Sequence, residues 1–362
     1  MSYTNMAAMM ACATSALILS AVLVAGCSAG RAQVDLRVES AIIRGRLGQK
    51  ADSILRAAAD SGVAGVALLV GGGEILLRKG YGLANREKGV PFTPNTLIDF
   101  GSITKQFTAA GILALEADGA LSVTDSIGRF FPTAPADKAV ITIHQLLTQS
   151  SGMPNGFAGD YVVMPRDSLL TLAWQARLLF APGKGYSYSN AGYSILGAII
   201  EKASGRPYES YLHDRLFRPA GLRATGYVLP RWDSSRVAHG YREGKDWGSP
   251  LDKLWATDGP YWSLKANGGM LSTVDELYAW HRALEARRVL PPTAIRKLER
   301  GYVTEPFGVG EPDYLYGYGW AHTWTPNNTR VMWHTGGKPA FLALVARYLD
   351  EDVFLVWATN SK

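Results

Sequence analysis

Between residues 63 and 79 the chain reads as two short apolar runs broken by a turn. Residues 63–70 are continuously apolar, Gly71-Gly72-Gly73 can fold back, and 74–79 is rich in Ile and Leu. Runs of this length bounded by turn residues read as strands, so the pattern predicts a β-hairpin. The C-terminal end carries three more such runs, 331–335, 341–348 and 353–358, separated by Gly337-Lys338-Pro339 and Asp350-Glu351-Asp352. Between the two ends the apolar period changes to that of a helix. It does so over 106–118, 143–147, 168–179, 190–203, 208–216 and 274–284, and also over 51–59 ahead of the hairpin, where Gly62 marks a stop. A sheet built from both chain ends with helices inserted between them predicts an α/β domain plus an all-α domain, the helical subdomain spanning 106–300. Their interface is a natural cleft.

The N-terminal end has a different character. Residues 1–26 contain no Lys, Arg, Asp or Glu, and 11–26 are almost wholly apolar or small, which is the composition of an export signal. The run is too short for a confident membrane span, which needs about 20 apolar residues. It ends in Leu23-Val24-Ala25-Gly26-Cys27, which resembles a bacterial lipobox, so Cys27 is the expected lipidation site. Residues 27–50 are then a tether, and the folded domain is expected from 51 to 362. The expected location is the periplasm or cell envelope, with a lipid anchor to the membrane.

Composition narrows the chemistry. The chain has 362 residues, 47% hydrophobic and 19% charged, enough for a sizeable core. Its formal charge of +6 is spread without a run of like charges, which argues against nucleic acid as a partner. Cys12 and Cys27 are the only cysteines, so the mature domain is expected to have no disulfide, thiolate metal site or cysteine nucleophile. The six His residues form no His-x-x-x-His pair, and no metal or cofactor is expected.

Three short motifs can carry a reaction. In Gly101-Ser102-Ile103-Thr104-Lys105, just ahead of a helical run, Ser102 and Lys105 are three residues apart and share a helix face. A serine hydroxyl needs a base, and a lysine can be that base when burial and a nearby positive charge lower its proton affinity. In Tyr188-Ser189-Asn190 the tyrosine can pass a proton between nucleophile and leaving group, and the Asn amide can hold a substrate carbonyl. His334-Thr335-Gly336-Gly337 ends an expected strand, whose edge can pair with an extended substrate and donate N–H groups to it. Each motif alone is weak; their joint occurrence in this order and local structure carries the weight. A rival Gly-x-Ser-x-Gly match at Gly26-Cys27-Ser28-Ala29-Gly30 straddles the lipobox and lacks the strand–turn–helix frame that an esterase elbow needs.

With its flanking segments this constellation resembles the penicillin-binding protein and class C serine β-lactamase family, which includes DD-peptidases, esterases and D-aminopeptidases. Residues 80–132, 141–154, 181–212 and 267–273 read like that family throughout. The resemblance implies a β-lactamase/DD-peptidase-like fold with an antiparallel sheet. It makes Ser102 the acylated nucleophile, Lys105 its base and Tyr188 the proton relay. Asn190, His334, Thr335, Gly336 and Gly337 become substrate-binding residues, and the N–H groups of Ser102 and Gly337 the oxyanion hole. Two departures stand out. The third motif opens with His334 where class C β-lactamases carry Lys, and a mostly neutral imidazole attracts a substrate carboxylate less. The family also continues past its last strand into a helix that covers the sheet, so residues 35–60 are expected to do more of that covering if the chain ends at Lys362.

The resulting expectation is a serine hydrolase acting through a Ser102 acyl-enzyme on an amide, a D-amino-acid peptide, cell-wall-derived ones included, or a carboxylic ester. The alternatives are a class C-like β-lactamase and a non-catalytic ligand-binding or sensor module of the same fold. The pocket walls are expected from the loops 155–165, 231–262 and 305–318.

Overall fold

The structure is a computed structural model describing residues 40–229, 231, 233–306 and 314–361. The export signal, Cys27 and residues 27–39 of the tether lie outside the described residues. Nine strands form one sheet: β1 (Ile42–Ile43), β2 (Gly65–Gly71), β3 (Glu74–Tyr81), β4 (Val303–Glu305), β5 (Tyr314–Tyr316), β6 (Ala321–Trp324), β7 (Arg330–Gly337), β8 (Leu342–Tyr348) and β9 (Val353–Thr359). Their spatial order is β1-β3-β2-β9-β8-β7-β6-β5-β4, and every neighbouring pair is antiparallel. The N-terminal hairpin therefore pairs with the last strand, and the two chain ends close one sheet.

Residues 66–70 are apolar without alternation because both sheet faces are covered. Val66, Leu68 and Val70 join the main core, whereas Ala67 and Leu69 belong to a second cluster on the other face. That second face is packed by α1 (Gly45–Asp60), through Leu47, Ala51, Leu55 and Ala59. The helix begins inside the stretch expected as tether. Lys79 and Tyr81 on β3 both donate to the buried Asp52 carboxylate, pinning the helix in place.

The helical part sits on the first face. Its centre is α2 (Lys105–Ala117), whose residues 105–115 are all buried. A helix enclosed on all sides is apolar all round, which is why this segment shows only a weak stripe. Beside it lies α3 (Asn190–Ser204), begun by Ser189, whose Oγ accepts from Gly192 N at 2.9 Å. Next comes α4 (Val274–Glu285), capped by Thr273. Asp275, in its first turn, receives two N–H donors from Arg78 of β3 at 2.6 and 2.8 Å, tying the helical part to the hairpin.

Strands β4, β5 and β6 are not among the strands that the sequence pattern predicts, and β5 falls within 305–318, which reads as a pocket loop. They are three or four residues long, and Gly317 and Gly319 interrupt the local pattern. Their strand state comes from pairing outward from β7, which no local signal announces.

Candidate active site

The nucleophile turn is built by backbone constraints. A short strand, Ile98–Asp99, ends against Leu271–Ser272. Gly101 then adopts φ +52°, a left-handed conformation that glycine takes without strain, and its N–H donates to Asp99 Oδ1 at 2.7 Å. Gly101–Thr104 is a 3₁₀ turn leading into α2. Ser102 therefore stands one tight turn ahead of the α-helix, where a helical first turn was expected. Its side chain faces the cleft, half-buried between fully buried neighbours.

Lys105 is fully buried and ends among three oxygens. Its Nζ lies 2.7 Å from Asn190 Oδ1, 2.6 Å from the Asn267 carbonyl and 3.2 Å from Ser102 Oγ. The first two can only accept, so a neutral amine spends both its N–H donors on them. Its lone pair then points at Ser102, the one partner with a proton to give. Burial, reinforced by the nearby Lys338 ammonium, pushes the Lys105 amine well below its ordinary range, against a weaker opposite pull from Asp160. Both geometry and environment leave Lys105 ready to accept a proton.

Tyr188 closes the cleft from the other side. Its ring lies 4.8 Å from Lys105 Nζ, and its phenol hydrogen-bonds Ser102. Burial raises the phenol above its usual range, and the Ser102 hydrogen bond opposes that only in part. It is thus a proton carrier that keeps its proton at rest. Asn190, at the start of α3, accepts from Lys105, so its amide N–H₂ is directed elsewhere. Asn190 N also donates to Asn155 Oδ1 at 3.3 Å, and Ala191 N to the Asn155 carbonyl at 2.9 Å. The 155–165 segment, expected as a pocket wall, begins there beside Asn190.

The third motif lies on β7, where alternation decides what each residue can do. His334 and Gly336 face inward; Thr335 points to the opposite face and can reach a substrate only through its backbone. His334, the expected substrate contact, makes its polar contacts within the protein. It is buried, with Nδ1 at 2.7 Å from the Thr335 carbonyl and Nε2 at 3.1 Å from Tyr316 OH, so both ring nitrogens are committed within the protein. Burial, with the Lys105 amine nearby, drives it down to about 3, leaving it neutral. Gly336 packs so tightly that a β-carbon there would lie 2.0 Å from the Phe100 carbonyl oxygen. One added at Gly101 would lie 2.8 Å from Gly337 N. These close approaches bring the Ser102 turn against the end of β7, where the Gly337 N–H lies.

Sequence reasoning missed Asn267, whose carbonyl orients Lys105, although it opens the Asn267-Gly268-Gly269-Met270 segment that reads as family-like. It also passed over Lys338, next to the third motif, and Tyr316, on an unexpected strand. Among the described residues one cluster, Glu87, His239 and Asp246, could hold a metal ion, but it shares no residue with this site.

A buried lysine 3.2 Å from a serine hydroxyl, a tyrosine beside both and a glycine-edged strand define a serine acyl-transfer hydrolase. The chain belongs to the beta-lactamase family, whose family model, described as "Beta-lactamase", matches residues 51–362. It is 29% identical over 314 residues to penicillin-binding protein 4* of Bacillus subtilis, covering 82% of this chain and 68% of that protein. It is 27% identical over 306 residues to protein flp of Staphylococcus aureus strain MW2, covering 81% of this chain and 58% of the relative. Among solved structures it superposes on D-amino acid amidase from Ochrobactrum anthropi SV3 complexed with L-phenylalanine, with TM-score 0.75 and 25% identity, covering 88% of this chain and 92% of that one. The chain is a serine hydrolase of β-lactamase/DD-peptidase-like fold.

Proposed function

We propose that this hydrolase cleaves an amide or peptide of a D-amino acid, or a small carboxylic ester, through an ester on Ser102. The carrying observation is the Lys105 amine, whose two N–H donors are taken by Asn190 Oδ1 and the Asn267 carbonyl, which leaves the lone pair for Ser102. Lys105 takes the Ser102 proton as Oγ attacks the substrate carbonyl carbon. The oxyanion is met by the Ser102 and Gly337 N–H groups. Tyr188 relays the proton to the leaving amine or alcohol, and water then cleaves the ester by the reverse transfers. The D-amino acid amidase likeness supports an amide or peptide substrate.

The neutral, internally bonded His334 supports the same choice over a β-lactam, since it offers no cation to a β-lactam carboxylate. The test is intact-protein mass after mixing residues 28–362 with a fluorophosphonate, with penicillin and with p-nitrophenyl butyrate, beside Ser102→Ala. Labelling lost in the variant and turnover of the ester are expected. Rapid turnover of a chromogenic cephalosporin would overturn the substrate assignment. A sensor module would show no turnover of any of them. From residues 11–27 we further propose export with lipidation of Cys27, checked by palmitate labelling that disappears in Cys27→Ala.

A further inference from the structure

Lys338 takes no part in the chemistry above, yet its side chain is only 4% exposed and sits one residue past Gly337. Its Nζ lies 2.9 Å from Asp160 Oδ2 and 6.0 Å from the Tyr161 ring. Asp160 is itself held, because Ser263 Oγ donates to the Asp160 and Val162 carbonyls at 3.0 and 3.1 Å and Tyr161 packs on Trp247. The two lysines abut the same short stretch of backbone. Lys105 Nζ donates to the Asn267 carbonyl, and a β-carbon on Gly268 would lie 3.4 Å from Lys338 Nζ. Lys338 has a carboxylate partner, whereas the three oxygens around Lys105 include none.

We propose that Lys338, anchored by Asp160, is a positioning residue for acyl transfer, a second ammonium across the Asn267–Gly268 backbone that keeps Lys105 in its proton-accepting form. Two charged amines in one buried region repel, and of the two only Lys338 has a carboxylate beside it. The neutral His334 cannot supply that positive charge; Lys338 does, and its effect on Lys105 outweighs the opposing one of Asp160. Among the described residues, the other titratable groups facing Lys105 are Tyr188 and Tyr193, with rings 4.8 and 5.5 Å from its Nζ, and His334 from β7. Asp99 flanks Lys338; burial raises it to about 6, while the Lys338 ammonium and the Gly101 N–H pull it down. Glu305 acts on Tyr188.

The proposal rests on the hydrolase reading, and its test separates the two. kcat/KM for p-nitrophenyl butyrate is measured from about pH 5 to about pH 10, with fluorophosphonate labelling of Ser102 in parallel. Lys338→Met is expected to move the acidic limb alkaline by about one pH unit, costing about tenfold at neutral pH and recovering above the limb. Asp160→Asn, which leaves Lys338 without its counter-charge, is expected to move the limb the other way, and Lys338→Arg to leave it near the wild type. Asp99 would shift in the same directions, so Asp99→Asn, which still accepts from Gly101 N–H, must retain the limb. A limb that vanishes in Asp99→Asn overturns the assignment to Lys105. Loss of activity by one factor at every pH in Lys338→Met, with the limb unmoved, means a merely structural role and also overturns it. Should Lys338→Met fail to fold, Asp160→Asn decides alone, since it replaces one atom of a partly exposed side chain. No labelling of wild-type Ser102 overturns both readings, whereas labelling with an unmoved limb overturns only the role of Lys338.

Discussion

At the scale of single residues, burial holds His334 and His322 in neutral form. His334 sits at about 3 and His322 at about 4, both lowered first by burial; Lys105 nearby adds to the first and Arg347 to the second. In the unfolded chain each returns to about 6.5, so between the folded and unfolded values the unfolded state binds more protons. Their stabilising contribution is whole above about pH 6.5 and is lost as pH falls through the folded values. Urea unfolding from about pH 7 to about pH 4 is expected to show stability falling by a few kcal/mol. His322→Gln should flatten that slope, because it removes one of the two groups whose folded values lie below their unfolded ones. An unchanged slope would mean other groups carry the acid sensitivity. Asp99 works in the opposite sense, because a carboxyl raised to about 6 takes its proton first in the folded state.

At the scale of elements, β7 is a framework for backbone more than a bearer of side chains. Beyond Met332 its inward residues are His334, tied to Tyr316, and Gly336, tight against Phe100, and it ends at Gly337. Gly336→Ala must push β7 from the Ser102 turn, because its new β-carbon would meet the Phe100 oxygen at 2.0 Å. A shift of that kind misplaces the oxyanion donors, so kcat/KM is expected to fall about a hundredfold or more. The sheet itself is held by ladders running its whole width, so circular dichroism should stay near wild type. Activity within a few-fold of wild type would show that the close approach is not what sets the site.

At the scale of the molecule, the Arg78–Asp275 pair joins two parts of the chain far apart in sequence. Its side chains are 1% and 9% exposed. Removing one partner of a buried ion pair costs about 3–5 kcal/mol, mostly through the buried charge left behind. Asp275→Ala is therefore expected to lower the melting temperature by several degrees. Fluorophosphonate labelling of the folded fraction should not change, since neither residue is among the partners of Ser102. A melting temperature within a degree of wild type would show that water or a shifted group replaces the carboxylate.

Much of this protein is legible in the order of its residues alone. The hairpin at 65–81, the strands after 330 and the central helices follow from runs and periods that local chemistry imposes, and Ser102 and Lys105 announce each other by a three-residue spacing. Tyr188 and β7 can be named as partners only through resemblance, since they lie far along the chain. What local sequence cannot carry is anything decided by enclosure. His334 reads as a substrate contact in a motif, but burial and Tyr316 make it a neutral internal brace. The strands at 303–305, 314–316 and 321–324 exist because β7 offers an edge to pair with. Asn267 and Lys338 matter only because folding sets them beside Lys105. Periodicity records which face a residue turns toward the core, whereas the donors, acceptors and charges it meets there are supplied by distant parts of the chain.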